Sequence, residues 1–217
     1  MLVKKVPPQD ERKSNMKKFI GLVGTNSDHS TNRRLLQFMA KHYANIAEIE
    51  LLEIDHLPLW NKPSNYTVLP EVQEMADKIK ASDGVIIATP EYDHAPTAAL
   101  NNALAWLSYK TYPFLDMPVM IVGASYGTLG SSRSQIQLQQ LLEAPELKAH
   151  VMPSSEFLLA HSLEAFDQEG QLVFEHKVRE LDNIFTNFIQ FVEIIQHLPN
   201  AREIGEETAA KYIWDTK

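Results

Sequence analysis

The sequence predicts an α/β fold: a strand–helix pair repeated about five times, forming a parallel sheet with helices on both faces. Two observations carry this. Short apolar runs such as those within Asp83–Pro90 and Pro118–Ser125 are too apolar to leave either face in water. Between them lie longer stretches with apolar residues at helical spacing, as sheets covered on both sides require.

The elements follow in order. Lys18–Val23 (KFIGLV) reads as a buried strand ended by Gly24, and Arg33–Tyr43 as a helix with Leu35, Leu36, Met39 and Tyr43 on one face. Ala44–Ile54 alternates apolar and acidic positions, the pattern of a half-buried strand near an edge. A proline-studded loop, DHLPLWNKPSNYTVLP, precedes a second helix carrying Val72, Met75, Ala76 and Ile79. Asp83–Pro90 and Pro118–Ser125 read as central strands, Ala98–Tyr109 and Ser131–Ala144 as helices. A weaker strand is expected within His150–Leu159, and Lys177–His197 is a long final helix. The expected divisions are an N-terminal arm (1–16), one domain (17–200) and a tail (201–217) holding Tyr212, Ile213 and Trp214.

Composition narrows the function. The net charge of −8 over 217 residues argues against a phosphate-backbone binder, so no nucleic-acid partner is expected. The chain has no cysteine, which removes disulfides and thiolate chemistry and leaves redox work to a bound cofactor. No apolar run approaches membrane-spanning length and the first residues lack a signal-peptide core, so the cytoplasm is the expected location.

In sheets of this kind ligands bind beyond the carboxyl ends of the strands. Three polar loops, each between a strand and a helix, converge on that rim. The first, GTNSDHSTN (Gly24–Asn32), offers Thr25, Ser27, Ser30, Thr31 and Asn32 at a helix start. Free N–H groups and the helix dipole there favour an anion such as a phosphate monoester. An N-cap cluster on a surface turn would give the same pattern. The loop is neither a Walker loop nor a dinucleotide fingerprint.

The second loop, TPEYDHAPT, presents Pro90, Glu91, Tyr92 and Asp93, and Tyr92 could lie against a planar ring. His94 reads either as a proton donor to a substrate or as a solvated loop histidine. Glu91, Asp93 and His94 lack a second ligand cluster, so no metal site is expected. The third loop, GASYGTLGSSR, places Ser125, Tyr126 and Gly127 where backbone can approach a ligand. Arg133 follows on the first turn of a helix, where the dipole disfavours a cation unless a carboxylate or phosphate is near.

Together these loops resemble those of the NAD(P)H-dependent FMN reductase family, which includes quinone, azo and chromate reductases. Gly24, Thr25, Ser30 and Asn32 match that family's Gly-Ser-x-Arg-x-x-Ser-x-Asn, with Ser27 where arginine is usual. Pro90-Glu91-Tyr92-Asp93, followed by Leu100-Asn101-Asn102-Ala103 and Trp106, is similar to its Pro-Glu-Tyr-Asn and following helix. Ser125, Gly127, Gly130 and Arg133 match the third motif, with Ser131 in place of a glycine.

The resemblance implies a flavodoxin-like three-layer sandwich with a five-stranded parallel sheet of order 2-1-3-4-5. It implies FMN phosphate on Thr25, Ser27, Ser30, Thr31 and Asn32. The ring would lie among Pro90, Glu91, Tyr92, Asp93, Ser125, Tyr126 and Gly127. It also implies hydride passing from NADPH or NADH through FMN to a quinone, azo compound, free flavin or similar small-molecule acceptor, in a homodimer or homotetramer. No catalytic side chain is required, because the chemistry lies on the flavin. Asp93 and Ser27 depart from the pattern and favour, as an alternative, a flavin carrier for electron transfer or sensing without nicotinamide turnover. A flavin-free protein binding another phosphorylated ligand is a third reading.

Overall fold

The computed structural model describes residues 16–63 and 67–198. The expected N-terminal arm, apart from Met16, and the tail with its aromatics lie outside the described residues. Strands β1 (Lys17–Val23), β2 (Ala47–Leu52), β3 (Gly84–Ala88), β4 (Pro118–Ala124), β5 (His150–Val151) and β6 (Phe157–Leu159) alternate with helices. The helices are α1 (Thr31–His42), α2 (Pro70–Lys80), α3 (Ala98–Ser108), α4 (Ser132–Leu142) and α5 (Glu175–Gln196). All the strand pairings are parallel, in the order β2-β1-β3-β4-β5, with β6 also paired to β4.

Strand alternation divides the core into two. On β1, Phe19 and Val23 point to the face covered by α1 and α5, where they meet Leu35, Phe185 and Phe188. Ile20 and Leu22 point to the opposite face, with Val72 of α2, Leu104 of α3 and Leu138 of α4. β3 repeats the division, Ile86 and Ala88 one way and Val85 and Ile87 the other. Every residue of β3 and β4 is buried, as their unbroken apolar runs require.

The single weak strand expected over 150–159 is two strands with a break between. Pro153 has no N–H for the ladder, Ser154 is left-handed at φ 55°, and Ser155 Oγ donates to the Met152 carbonyl. The break lets β6 rejoin β4 beside its carboxyl end, with Phe157 opposite Val122. That brings the following segment, 160–165, to the rim that holds the polar loops.

Tyr43 seals the end of α1 against α5. Its ring stacks on Phe185 at 3.8 Å, and its hydroxyl donates to Asp182 Oδ1 at 3.1 Å. Burial first, then the Asp182 charge and hydrogen bond, push its phenol well above the ordinary tyrosine value. Burial also raises Tyr109. A raised folded-state value means the stabilisation is complete below the unfolded-state pKa of about 10 and is lost as pH climbs beyond it. Urea midpoints measured from pH 8 to 12 should fall above about pH 10, and Tyr43→Phe should flatten that fall. An equally steep fall in the variant would show that Tyr43 is not the group responsible.

Candidate functional site

The three loops meet at the carboxyl end of the sheet and enclose a cavity of about 540 Å³, well within the range of small-molecule sites. Its wall contains Ser30, Thr31 and Asn32 from the first loop, Pro90 to His94 from the second, and Ala124 to Leu129 from the third.

Of the residues expected at a cofactor, Ser30, Thr31, Asn32, Pro90, Glu91, Tyr92, Asp93, Ser125, Tyr126 and Gly127 all line this cavity. Thr25 and Ser27 stand outside its wall. Thr25 is buried, and its hydroxyl accepts the Ser27 N–H at 3.2 Å, so this pair shapes the loop from within.

The side chains of the first loop are largely committed. Ser30 caps α1 by accepting the Arg33 N–H at 3.1 Å. Asn32 donates to the Ala124 carbonyl at 2.8 Å and accepts the Ala124 N–H at 2.9 Å, tying the start of α1 to the end of β4. Thr31 and Ser162 share a hydroxyl–hydroxyl bond at 2.8 Å, and Ser162 N–H in turn reaches the Ser125 carbonyl. The donors left for an anion are chiefly backbone. The carbonyl of the N-cap Ser30 takes the Arg34 N–H, so the N–H groups of Thr31 and Asn32, two residues of the cavity wall, have no acceptor within the helix.

Position 27 is braced from α1. Arg33 donates through Nη1 to the Ser27 carbonyl at 2.6 Å, while Nε and Nη2 form a two-pronged pair with Glu53 at 2.7 and 2.8 Å. Glu53 raises the guanidinium pKa further, so the clamp stays charged. Sequence reading misses this because Glu53 lies 20 residues away, beyond a strand.

The second loop closes in a two-residue hairpin. Tyr92 and Ala95 exchange both backbone hydrogen bonds, and Asp93 and His94 occupy the left-handed region at φ 51° and 65°. The expected carboxylate partner of Arg133 is Glu91. Its side chain is only 9% exposed and accepts the Arg133 N–H at 3.0 Å and, more weakly, the Ser134 N–H at 3.4 Å. This caps α4, whose own N-cap Ser131 is left-handed and makes no capping bond. The guanidinium of Arg133 meets the His94 ring at Nδ1. The same Nδ1 lies 3.3 Å from Glu91 Oε1, so His94, Glu91 and Arg133 form one cluster. His94 is thus held against α4, and Gln137 also bonds its carbonyl at 2.6 Å.

The third loop spans the mouth. Tyr126 donates its hydroxyl to the His29 carbonyl at 3.2 Å. A Cβ on Gly127 would meet nothing within 4 Å, so that backbone faces open cavity. Tyr92, Tyr126 and Leu129 are 53%, 57% and 46% exposed, which gives the mouth an apolar rim. Among the described residues no group of three or more histidines and carboxylates is placed to hold a metal ion.

The donor set fits FMN. Unpaired N–H groups at the start of α1 suit the phosphate, and the Tyr92 and Tyr126 rings with open backbone at Gly127 suit the flat, partly polar ring system. When bound, FMN supplies the hydride chemistry; the chain binds it, orients it and limits water.

Comparison with known proteins gives the same reading. The profile of the NADPH-dependent FMN reductase family matches residues 17–164. The chain is 52% identical over 199 residues to the NADH:(hydroxy)cinnamate reductase subunit CrdA of Vibrio ruber, covering 92% of this chain and 98% of that one. It is 41% identical over 184 residues to NADH-dependent flavin reductase subunit 2 of Lactobacillus johnsonii, covering 82% and 99%. Among solved structures it superimposes on FerB, a flavoenzyme NAD(P)H:(acceptor) oxidoreductase of Paracoccus denitrificans, with a TM-score of 0.74 at 25% identity, covering 82% and 98%. Fold, cavity and these likenesses agree: the chain belongs to the NADPH-dependent FMN reductase family, oxidoreductases that use FMN with NAD(P)H.

Proposed function

We propose that this chain binds FMN in the three-loop cavity, accepts hydride from NADH or NADPH there, and passes the electrons to a second flavin, free or carried by another subunit. The carrying observation is the cavity itself: anion-binding N–H groups at one end, aromatic rings and open backbone at the other. Thr31 and Asn32 N–H would hold the phosphate, while Thr25, Ser27 and Arg33 keep the loop in shape. Pro90, Glu91, Tyr92 and Asp93 on one side, and Ser125, Tyr126 and Gly127 on the other, would confine the ring. A flavin acceptor is favoured by the relative named as an NADH-dependent flavin reductase subunit. The exposed apolar rim offers a surface for such a partner or for a homodimer or homotetramer contact. No described helix is long and apolar enough to cross a membrane, and a cytoplasmic setting supplies both nucleotides.

The test is an FMN titration followed by anaerobic reduction. Flavin fluorescence should be quenched saturably at micromolar FMN, and NADH or NADPH should bleach the bound flavin within seconds. Free FMN should then outpace a quinone as acceptor. Saturable FMN binding without bleaching would select the electron-carrier reading, and no binding at all would remove the flavin reading.

A further inference from the structure

Two positive elements stand behind the second-loop wall of the cavity: the N-terminus of α4 and the Arg133 guanidinium. Unmasked, both would attract negative charge into the cavity. One carboxylate answers them. Glu91 accepts both N–H groups at the α4 start, and its Oε1 lies 3.9 Å from Arg133 Nη1. The arrangement is specific to this wall. α1 has no acidic residue in its first turn and its N-cap side chain is a neutral serine, whereas α4 has its positive end covered by Glu91. At 9% exposure the Glu91 charge is poorly screened by solvent. Of the other charged or titratable groups on this wall, Asp93 is exposed at the hairpin tip, and His94, also exposed there, brings its Nδ1 to 3.3 Å from Glu91 Oε1 and against the Arg133 guanidinium.

We propose that Glu91 tunes the reduction potential of FMN bound in this cavity, holding it low by neutralising α4 and Arg133. The inference rests on the FMN reading above. Reduction adds negative charge to the ring, so any positive field left unmasked would stabilise the reduced form. Glu91 removes that stabilisation and favours onward transfer of the electrons. It acts through the field and through the placement of Arg133, so it is a positioning residue.

The test reads potentials, not turnover. FMN-loaded protein is equilibrated anaerobically with a redox dye of known potential, and dissociation constants of oxidised and reduced FMN are measured separately. Linkage requires the two readouts to agree. Glu91→Gln keeps an oxygen acceptor for Arg133 N–H and Ser134 N–H but removes the charge. It should tighten reduced relative to oxidised FMN by about tenfold, equivalent to about 30 mV upward for a two-electron couple. Arg133→Gln removes the masked cation and should move the potential down. Opposite signs separate a field effect from loosening of the wall, which would move both variants the same way. An unmoved potential in Glu91→Gln, or a shift of the same sign in both variants, overturns the proposal while leaving FMN binding by the parent intact. Failure of the parent to bind FMN would overturn the flavin reading and this proposal together.

Discussion

Gly123→Ala should destabilise the protein by at least about 3 kcal/mol, at the upper end of the overpacking range, and should abolish saturable FMN binding. Gly123 lies near the end of β4, where the sheet delivers the third loop to the cavity. A Cβ there would overlap Ser131 Oγ and come within 2.8 Å of both Gln135 Nε2 and the Thr89 carbonyl. None of these can retreat easily. Ser131 and Gln135 are 0% and 3% exposed, and Thr89 O belongs to the backbone leading into the second loop. Gln135 is further anchored by bonds to Ser131 Oγ and the Phe157 carbonyl. The methyl group would therefore push α4 off the sheet, and with it the Glu91 cap and the cavity wall.

For a chain of this size the melting temperature should drop by about 6–12 °C. The space at Gly123 is filled by the hydroxyl of Ser131, itself left-handed at φ 71°. Ser131→Gly removes that hydroxyl and relieves a conformation that costs a residue with a side chain about 1–2 kcal/mol. The double variant should thus recover part of the loss, a coupling readable by a double-mutant cycle. Strict additivity of the two changes would show that the clash is not with Ser131.

Why such a contact is invisible in the sequence bears on how much of the molecule was legible there. The buried strands announce themselves: Gly84–Ala88 and Pro118–Ala124 are apolar runs that only a covered parallel sheet can use. The three loops follow from the strands, because a polar segment between strand and helix must fall on the carboxyl rim. What the sequence hides is pairing across the rim. Glu91 is 42 residues from the helix it caps, and Thr31 is 131 residues from Ser162. No periodicity encodes such contacts. The unusual placement of Arg133 on a first helical turn was the one signal that asked for a carboxylate or phosphate nearby, without saying which. The first-loop hydroxyls are a different case. Thr25 has the right chemistry for an anion, but it is buried and its hydroxyl accepts the Ser27 N–H, a local bond that composition does not reveal. The break between β5 and β6 went unread, and its consequence, delivery of Ser162 to the rim, depends on the register of Phe157 against Val122.

Arg33→Met should weaken FMN binding by about 10- to 100-fold, or about 1.4–2.7 kcal/mol, while changing overall stability far less than Gly123→Ala does. Arg33 makes no contact with the cavity and does not line it. Its effect is on the loop. The bond from Nη1 to the Ser27 carbonyl is short at 2.6 Å and charge-assisted, and a longer one reaches the Asp28 carbonyl at 3.4 Å. Glu53 holds the guanidinium from the other side, with both prongs engaged. Methionine retains the apolar stem and loses all of these bonds, so segment 25–29 is no longer held over the start of α1. The N–H groups of Thr31 and Asn32 would remain, but the chain that shields them from competing water would not. The two side chains are 18% and 35% exposed, so salt should screen the pair only in part. Glu53→Gln is the discriminating control. It keeps a neutral acceptor for Arg33 and leaves the bond to the Ser27 carbonyl in place, so its loss of affinity should be several-fold smaller. Equal losses in the two variants would locate the effect in the Arg33–Glu53 charge pair. Parent-like affinity in Arg33→Met would show that the first loop needs no clamp, and the phosphate would then depend on the α1 N-terminus alone.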